Sequence, residues 1–315
     1  MTTLIYSHPS FFAHDTGGGH PESPLRLRAI DTVLKRSEFA ALIRIEAPRA
    51  SMEQLRLVHT QSHIDRVFEL IPGKGEDIVF LDPDTIVSEQ SGEAALHAAG
   101  AGCAAVDALF AGKADNAFCA VRPPGHHAMP EAGMGFCLFN NIAITAEHAR
   151  KAHGIRRVAI VDFDVHHGNG TQAAFEHDRE VLYASTHQYP WYPGSGAPNE
   201  TGVGNIFNVG LPSGSGSIEF RSAMQGKILP AVDRFKPELL LISAGFDAHR
   251  DDPLASLNLT EDDFAWITRQ LLELADRHAR GRVVSMLEGG YNLEALGESV
   301  AAHVAELMKV PSRGH

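Results

Sequence analysis

Short runs of apolar residues alternate along the chain with longer stretches in which apolar residues recur every three or four positions. The short runs predict β-strands and the longer stretches predict amphipathic α-helices. This alternation is typical of an α/β fold with helices on both faces of a parallel sheet. The predicted strands are Ala117–Val121, Val158–Phe163, Val181–Ser185, Leu239–Ser243 and Val283–Leu287. The predicted helices lie around Gly92–Phe110, Asn141–His153, Ile218–Phe235, Thr260–Arg280 and Leu293–Leu307.

No internal repeat, low-complexity tract or long polar linker divides the 315 residues. We therefore expect a single domain over residues 1–315, with Pro311 to His315 as a frayed tail. No apolar run approaches the roughly 20 residues needed to cross a bilayer, and the N-terminus lacks a basic region followed by an apolar stretch. Membrane association is not predicted.

Composition narrows the class of partner. The net charge of −12 argues against general binding of nucleic acid and is compatible with a cationic substrate. Three cysteines without CxxC spacing indicate neither a disulfide framework nor a cysteine-rich metal site, so we expect a reducing cytoplasm. The 18 histidines matter more, because imidazole is the commonest metal ligand and titrates near neutral pH.

Chemically capable side chains follow four of the predicted strands at the point where each strand ends. Because the carboxyl ends of parallel strands meet at one edge of a sheet, these segments should converge on one pocket. The segments are Arg122-Pro-Pro-Gly-His126-His127, Asp162-Phe-Asp164-Val-His166-His167-Gly-Asn169-Gly, Ala244-Gly-Phe-Asp247 and Glu288-Gly-Gly-Tyr291.

Asp162, Asp164 and His166 are spaced by two, which in a strand places them on one face. Such groups are costly to bury without a cation between them. With Asp247 as a further ligand, Asp164 and His166 form a two-carboxylate, one-histidine metal set that leaves a position open for water and substrate, which suits hydrolysis. Alternatively, Asp247 belongs to an ordinary turn with an Asx hydrogen bond.

His126 and His127 follow a rigid Pro-Pro-Gly segment, which can hold two imidazoles in fixed orientations. The pair can divide the proton work, and Asp162 and Asn169 are their candidate partners. Tyr291 follows two glycines and could donate to an oxyanion. This motif alone nevertheless favours an ordinary glycine turn with a packed ring.

Five linked motifs resemble the histone deacetylase family, in the family's order, and the resemblance runs from His20-Pro21-Glu22 nearly to the C-terminus. They are the four segments above, the second extended through Gln172, together with Gly135-Phe136-Cys137. The resemblance implies an arginase/deacetylase-like three-layer α/β fold with a central, mainly parallel sheet of about eight strands.

By this resemblance, Asp164, His166 and Asp247 bind zinc, His127 is the general base, and Tyr291 stabilises the oxyanion. His126, paired with Asp162, is the second, electrostatic histidine. The resemblance also implies substrate contacts at Asp84, Gly135, Phe136, Tyr192 and Gly290, and a potassium ion near Asp162, Asp164, His166 and Ser185. Asp84 is the expected rim aspartate, Phe136 and Tyr192 the tunnel walls, and the two glycines points of close backbone approach.

The resemblance is greatest to the class II branch, because Asn169 stands where another branch has aspartate. Tyr291 separates the chain from class II members that carry histidine there and deacetylate poorly. Polyamine-selective relatives place a glutamate gate shortly after the third metal ligand, where this chain has Leu254. We therefore expect acetyl-lysine or a small acylated amine as the substrate.

Other functions stay open at this point. One is an acetylpolyamine amidohydrolase with the same chemistry, and another is a non-catalytic protein that binds acylated ligands. An arginase-like enzyme with two manganese ions would need further bridging aspartates, where Gly168, Asn169 and Ala248 stand. Ferrous iron suits the same ligands as zinc. The sequence also leaves formation of a homo-oligomer open.

Overall fold

The computed structural model describes residues 2–309, so the tail predicted for Pro311 to His315 lies outside the described residues. The strands are β1 Thr3–Ser7, β2 Ile43–Glu46, β3 Val79–Phe80, β4 Ile86–Val87, β5 Asn116–Cys119, β6 Val158–Asp162, β7 Val181–Gln188, β8 Ile206–Leu211, β9 Leu239–Ala244 and β10 Val283–Leu287. Eight of them form a central sheet in the order β2-β1-β5-β10-β9-β6-β7-β8, in which each neighbouring pair is parallel. A separate antiparallel pair consists of β3 and β4.

Helices connect the strands and supply the outer layers. They are α1 Ser10–Ala13, α2 Pro24–Val33, α3 Met52–Leu55, α4 Gln61–Glu69, α5 Ser91–Phe110, α6 Asn141–His153, α7 Asn169–Phe175, α8 Ser217–Ala223, α9 Leu229–Phe235, α10 Glu261–His278 and α11 Leu293–Lys309. Among the residues that the structure describes, no helix is both long and apolar enough to cross a bilayer.

Two consecutive residues of β10 show that helices cover both faces of the sheet. The Ser285 hydroxyl lies 2.9 Å from Nε2 of His303 on α11, whereas Met286 Sδ lies 3.5 Å from the Thr145 hydroxyl of α6. Successive side chains of a strand point to opposite faces, so α11 and α6 belong to different layers. The predicted three-layer, parallel α/β fold is confirmed.

The five strands predicted from the sequence are all present, with ends shifted by a few residues. The prediction for Ile218–Phe235 was wrong in one respect, because α8 and α9 are separated by a π-helical turn at Met224–Ile228. Pro230 lies at the start of α9 and has no backbone N–H to donate to the preceding turn, so the helix widens there.

The order of the strands in the sheet determines where the candidate residues lie. Strands β5, β10, β9 and β6 are consecutive neighbours, although β10 is the last strand in the sequence. The four segments that carry the candidate residues therefore leave the same edge of the sheet side by side. The predicted convergence on one edge is confirmed.

Candidate active site

The segment after β6 turns away from the sheet sooner than the sequence predicted. The strand ends at Asp162, so Asp164 and His166 do not alternate within it. Instead, the backbone N–H of Asp164 donates to Asp162 Oδ1 (3.1 Å), and the N–H of His166 donates to Asp164 Oδ1 (2.8 Å). Two consecutive side-chain-to-backbone turns therefore orient these groups, in place of the pleat of a strand.

Asp164, His166 and Asp247 meet at one point. The Asp247 carboxylate lies 3.0 Å from Nδ1 of His166, and Asp164 Oδ1 lies 3.3 Å from the same nitrogen. One donor atom from each residue lies within 4.8 Å of the other two, and all three residues are buried. A backbone hydrogen bond also orients Asp247, because its Oδ1 accepts the N–H of Val165 (2.9 Å).

The electrostatics of this cluster favour a cation. Burial, and then the nearby charge of Asp164, raise the pKa of Asp247 to about 7. Burial would lower the pKa of His166, but hydrogen bonds to Asp164 and Asp247 outweigh it and raise that pKa to about 10. The buried carboxylates of Asp164 and Asp247 therefore favour a bound proton on this cluster. A divalent cation would neutralise the same negative potential, so the donor set fits a metal ion.

Glycine backbone borders the carboxylates on two sides. A Cβ atom at Gly289 would lie 2.1 Å from Oδ2 of Asp247, and one at Gly245 would lie 2.0 Å from Oδ2 of Asp164. The Gly289 N–H also donates to Asp164 Oδ2 (2.7 Å). Any side chain at these positions would displace the two carboxylates that the sequence predicts as ligands.

His126 and His127 lie side by side, with ring centres 4.1 Å apart, but in different electrostatic surroundings. Burial would lower the pKa of His126, but the carboxylates of Asp164 and Asp162 outweigh it and hold the pKa well above its usual value. His126 Nδ1 lies 2.9 Å from Asp162 Oδ2. Burial, followed by the nearby charges of His126 and His166, lowers the pKa of His127 well below its usual value.

The neutral amide group of Asn169 contacts the imidazole of His127. Nδ1 of His127 lies 2.7 Å from Oδ1 of Asn169, and the Asn169 Nδ2 points instead toward the sulfur atoms of Met129 and Met134. The amide oxygen can only accept, so Nδ1 carries the proton and Nε2 is left with a free lone pair. The sequence predicted both partners, Asp162 for His126 and Asn169 for His127.

A cavity of about 220 Å³ leads to these groups. It is lined by Asp84, His127, Gly135, Phe136, His166, Trp191, Tyr192, Leu254 and Tyr291. Its walls are mostly aromatic, and Phe136 meets Tyr291 edge to face with ring centres 5.8 Å apart. Five of the six substrate contacts proposed from the sequence are brought together here, as is the Tyr291 ring. Trp191 is a further wall residue.

Gly135 has a direct reason to be glycine. Its φ is +56°, and a Cβ there would lie 2.6 Å from Cδ2 of His127 and 3.0 Å from the Tyr192 hydroxyl. A side chain would therefore fill the cavity beside the imidazole. The Gly135 N–H donates to Oδ1 of Asp84 (3.2 Å), so this carboxylate borders the same wall. Burial, then a hydrogen bond with Asp82, raises the pKa of Asp84.

Gly290 departs from the prediction, because it is not among the residues that line the cavity. Its φ is +125°, and a Cβ there would lie 2.8 Å from Leu296 Cδ1 and 3.2 Å from Phe246 Cβ. Both neighbours are buried in the core. Core packing and backbone conformation therefore require glycine at this position.

The sequence missed the residues that position Tyr291. Nε of Arg26 donates to the Gly290 carbonyl (2.7 Å), and its guanidinium carbon lies 5.0 Å from the centre of the Tyr291 ring. Glu22 in turn pairs with Arg26 (3.1 Å) and with Arg122. The one signal in the sequence was Glu22 in the His20-Pro21-Glu22 segment, and the contact of its partner Arg26 with Gly290 is set by the fold.

Asp252 is a second missed residue. Its Oδ2 accepts the backbone N–H of Tyr291 (2.7 Å), and its Oδ1 accepts the N–H of Leu254 (2.9 Å). The Leu254 carbonyl accepts the indole N–H of Trp191 (3.2 Å). The buried carboxylate of Asp252 thus connects the segments of the cavity wall that carry Tyr291 and Leu254. The hydrogen bond from Trp191 to Leu254 connects a third segment of the wall.

The residues proposed for potassium lie at the end of β6 and beside it. Asp162 and Ser185 are paired in register across β6 and β7. The Asp162 carboxylate also accepts the Tyr183 hydroxyl (3.0 Å). Oxygen-bearing residues are therefore present on neighbouring strands behind the histidine pair.

Comparison with known proteins gives consistent matches. Residues 20–307 match the histone deacetylase domain. The histone deacetylase-like amidohydrolase of Pseudomonas aeruginosa is 42% identical over 280 residues, which cover 87% of this chain and 73% of that protein. Chloroplastic histone deacetylase 10 of Oryza sativa subsp. japonica is 40% identical over 312 residues, with coverage of 93% and 70%. The human polyamine deacetylase HDAC10 is 40% identical over 311 residues, with coverage of 92% and 45%.

A solved structure extends this likeness to three dimensions. The crystal structure of the HDA15 HD domain matches with a TM-score of 0.91 and 36% sequence identity. The match covers 99% of this chain and 90% of that one. The two chains therefore share their fold over nearly the whole length described above.

Proposed function

Because the chain belongs to the histone deacetylase family, we propose that it hydrolyses the amide bond of acetylated amines at a single metal centre. The products are acetate, or another short carboxylate, and the free amine. One observation carries the proposal: the donor atoms of Asp164, His166 and Asp247 lie within 4.8 Å of one another, and His166 lines the same cavity as His127 and Tyr291.

We propose Asp164, His166 and Asp247 as the ligands of one zinc ion, with ferrous iron as the alternative for the same donor set. When bound, the ion would lower the pKa of a water molecule and polarise the acyl carbonyl. The two buried carboxylates and the glycine backbone around them support this assignment. A second manganese ion finds less support, since Asn169 contacts His127 in place of a bridging carboxylate.

His127 is the proposed general base. Its low pKa keeps the imidazole neutral, and its free Nε2 can accept a proton from water as the water oxygen attacks the acyl carbon. The same nitrogen then donates that proton to the amine nitrogen as the C–N bond breaks. Asn169 fixes the tautomer for both steps without adding a charge.

His126 and Tyr291 have complementary electrostatic roles in this proposal. His126, held by Asp162, remains protonated and places a positive charge beside the reacting centre. The Tyr291 hydroxyl donates to the oxyanion that forms when the carbonyl carbon becomes tetrahedral. Burial raises the pKa of Tyr291 well above its usual value, so the hydroxyl keeps its proton for this purpose.

The cavity wall supports acetyl-lysine or a small acylated amine as substrate. Phe136, Tyr192, Leu254 and Asp84 line the same cavity. The first three would contact the chain that carries the acyl group, and Asp84 would accept backbone N–H groups of the substrate at the rim. The alternative substrate is an acetylated polyamine, which the similarity to the human polyamine deacetylase HDAC10 favours. Leu254 offers no negative charge to such a cationic chain.

Two accompanying assignments complete the proposal. A structural potassium ion would be held by oxygen atoms of Asp162, Asp164, His166 and Ser185. The cytoplasm is the proposed compartment, because Cys103, Cys119 and Cys137 are free thiols that burial keeps protonated, with pKa values raised above the usual range.

The test is acetate release from an acetyl-lysine peptide and from an N-acetylated polyamine, measured in parallel with metal-stripped and zinc-reconstituted protein. We expect turnover only after reconstitution, with the peptide preferred. Asp247→Asn should abolish both zinc retention and turnover. Undiminished turnover by the stripped protein would contradict the metal assignment, and preference for the polyamine would contradict the substrate assignment.

A further inference from the structure

A second group of metal-ligating side chains lies at the opposite end of the sheet. Asp107 is near the end of α5, and His148 and His153 belong to the last two turns of α6. These helices lead into the amino ends of β5 and β6, whereas the proposed active site follows the carboxyl ends of the same strands. The two groups are therefore separate.

The three side chains already converge on one point. Asp107 Oδ1 lies 2.9 Å from Nε2 of His148 and 2.7 Å from Nε2 of His153, and all three donor atoms lie within 4.8 Å of one another. Donor atoms at tetrahedral angles around a zinc ion, with bonds of about 2.0–2.1 Å, are roughly 3.3 Å apart. The two observed pairs would therefore need to separate by about 0.5 Å to admit the ion.

The charge and accessibility of the group also suit a metal. Burial would raise the pKa of Asp107, but hydrogen bonds from His148 and His153 outweigh it and lower the pKa. Asp107 is exposed and the two histidines are half-buried, so an ion can enter and keep water in its remaining positions. The His153 ring is stacked on Phe110, with ring centres 4.4 Å apart, which limits its rotation.

We propose that Asp107, His148 and His153 form a second site for a divalent transition-metal ion such as Zn²⁺, linking α5 to α6. The ligand set of two imidazoles and one carboxylate favours zinc, nickel or copper over magnesium or calcium. The site would add a second metal equivalent per chain without contacting the active site.

The side chain of Gln54 would lower the affinity of this site for a metal ion. Its Oε1 accepts the N–H of Ser51 (2.8 Å), which leaves its Nε2 facing Nδ1 of His148 at 3.2 Å. The Gln54 amide therefore donates to Nδ1 and favours the tautomer with a proton on Nε2. Metal binding needs that proton on Nδ1, so Gln54 opposes it. Glutamate at position 54 would accept from Nδ1–H and could still accept from Ser51.

The test is calorimetric titration of Zn²⁺ into protein whose active site has first been saturated with zinc. We expect one further site per chain in the wild type. His153→Ala and Asp107→Asn should each weaken it at least about tenfold, and Gln54→Glu should tighten it by about 10–100-fold. His177→Ala is the matched control, because His177 is an exposed histidine that pairs with Glu176 (3.5 Å). This variant should leave the titration unchanged.

Thermal unfolding provides an independent readout. Zn²⁺ should raise the melting temperature of the wild type and of Gln54→Glu more than that of Asp107→Asn, because only the intact site links the two helices. Asp107 and Gln54 are not in the core, so these variants remain informative if His153→Ala folds poorly. A single zinc site in the wild type, or an affinity unaffected by both Asp107→Asn and Gln54→Glu, would overturn the proposal.

Discussion

Nδ1 of His127 lies 2.7 Å from the amide oxygen of Asn169, so a neutral acceptor orients the imidazole that we propose as the general base. The neighbouring His126 is instead oriented by the carboxylate of Asp162 at 2.9 Å. Burial, and then the charges of His126 and His166, lower the pKa of His127, whereas the carboxylates of Asp164 and Asp162 outweigh burial and raise the pKa of His126. The pH dependence of the reaction should follow from this asymmetry.

Asn169→Asp should move the acid limb of the kcat/KM profile to higher pH by about one unit or more. A carboxylate stabilises the protonated imidazole, so the pKa of His127 rises and its neutral form is available only at higher pH. The measurement is kcat/KM against pH. Asn169→Ser, which retains a neutral acceptor, should leave the limb in place, and an equal shift in both variants would exclude charge as the cause.

Tyr291→Phe should reduce kcat by about 10²–10³-fold, because an oxyanion donor is lost while the ring remains. The backbone of Tyr291 stays fixed by Asp252, so zinc content and melting temperature should be unchanged. Tyr192→Phe removes the other phenol of the cavity and is the matched control. Comparable losses of kcat in the two variants would argue against a specific role for Tyr291.

Glu22→Gln should lower the free energy of unfolding at neutral pH by about 3–5 kcal/mol, because Arg122 and Arg26 would be left buried without a counter-charge. The same change at the exposed Arg36–Glu298 pair, Glu298→Gln, should cost less than about 1 kcal/mol. Urea unfolding measures both values. Similar losses in the two variants would contradict the proposed importance of burial.

The pH dependence of this loss has a defined sign. Burial would raise the pKa of Glu22, but Arg122 and then Arg26 outweigh it and lower the pKa to about 2. The ionised carboxylate therefore stabilises the fold above its ordinary pKa, and this contribution is lost as the pH falls through the folded value. The difference between wild type and Glu22→Gln should narrow as the pH falls from about 5 towards about 3.

Leu254→Glu should shift substrate preference toward acetylated polyamines by about tenfold or more in the ratio of kcat/KM values. A carboxylate in the cavity wall would attract a distal ammonium group, whereas leucine cannot. Leu254→Gln has nearly the same shape without the charge and should leave the ratio close to that of the wild type. An unchanged ratio in Leu254→Glu would show that residue 254 does not govern this choice.

Sequence reasoning could indicate a candidate site because the informative residues follow apolar strands directly. Burial of β6 makes Asp162, Asp164 and His166 conspicuous, and the parallel sheet requires the four strand ends to meet. The sequence could not show that β6 ends at Asp162. That boundary depends on hydrogen bonds that the carboxylates of Asp162 and Asp164 accept from the backbone N–H groups two residues later, and these bonds compete locally with strand pairing.

Contacts distant in sequence were not predictable in the same way. Arg26 reaches the Gly290 carbonyl across 264 positions, and no local pattern marks an arginine that will be fully buried. The family resemblance implied a substrate contact at Gly290, but a Cβ atom there would point into the core. Whether a glycine faces a ligand or the core is decided by tertiary packing.

The position of β10 has a consequence for biosynthesis. This strand comes last in the sequence yet inserts between β5 and β9, in the middle of the sheet. A nascent chain lacks this central strand until residues 283–287 have emerged and lacks Tyr291 until residue 291 has emerged, so no shorter translation intermediate can possess the complete site. Closing such long-range strand pairs is intrinsically slow, and activity should therefore appear only after β10 has emerged and paired with β5 and β9.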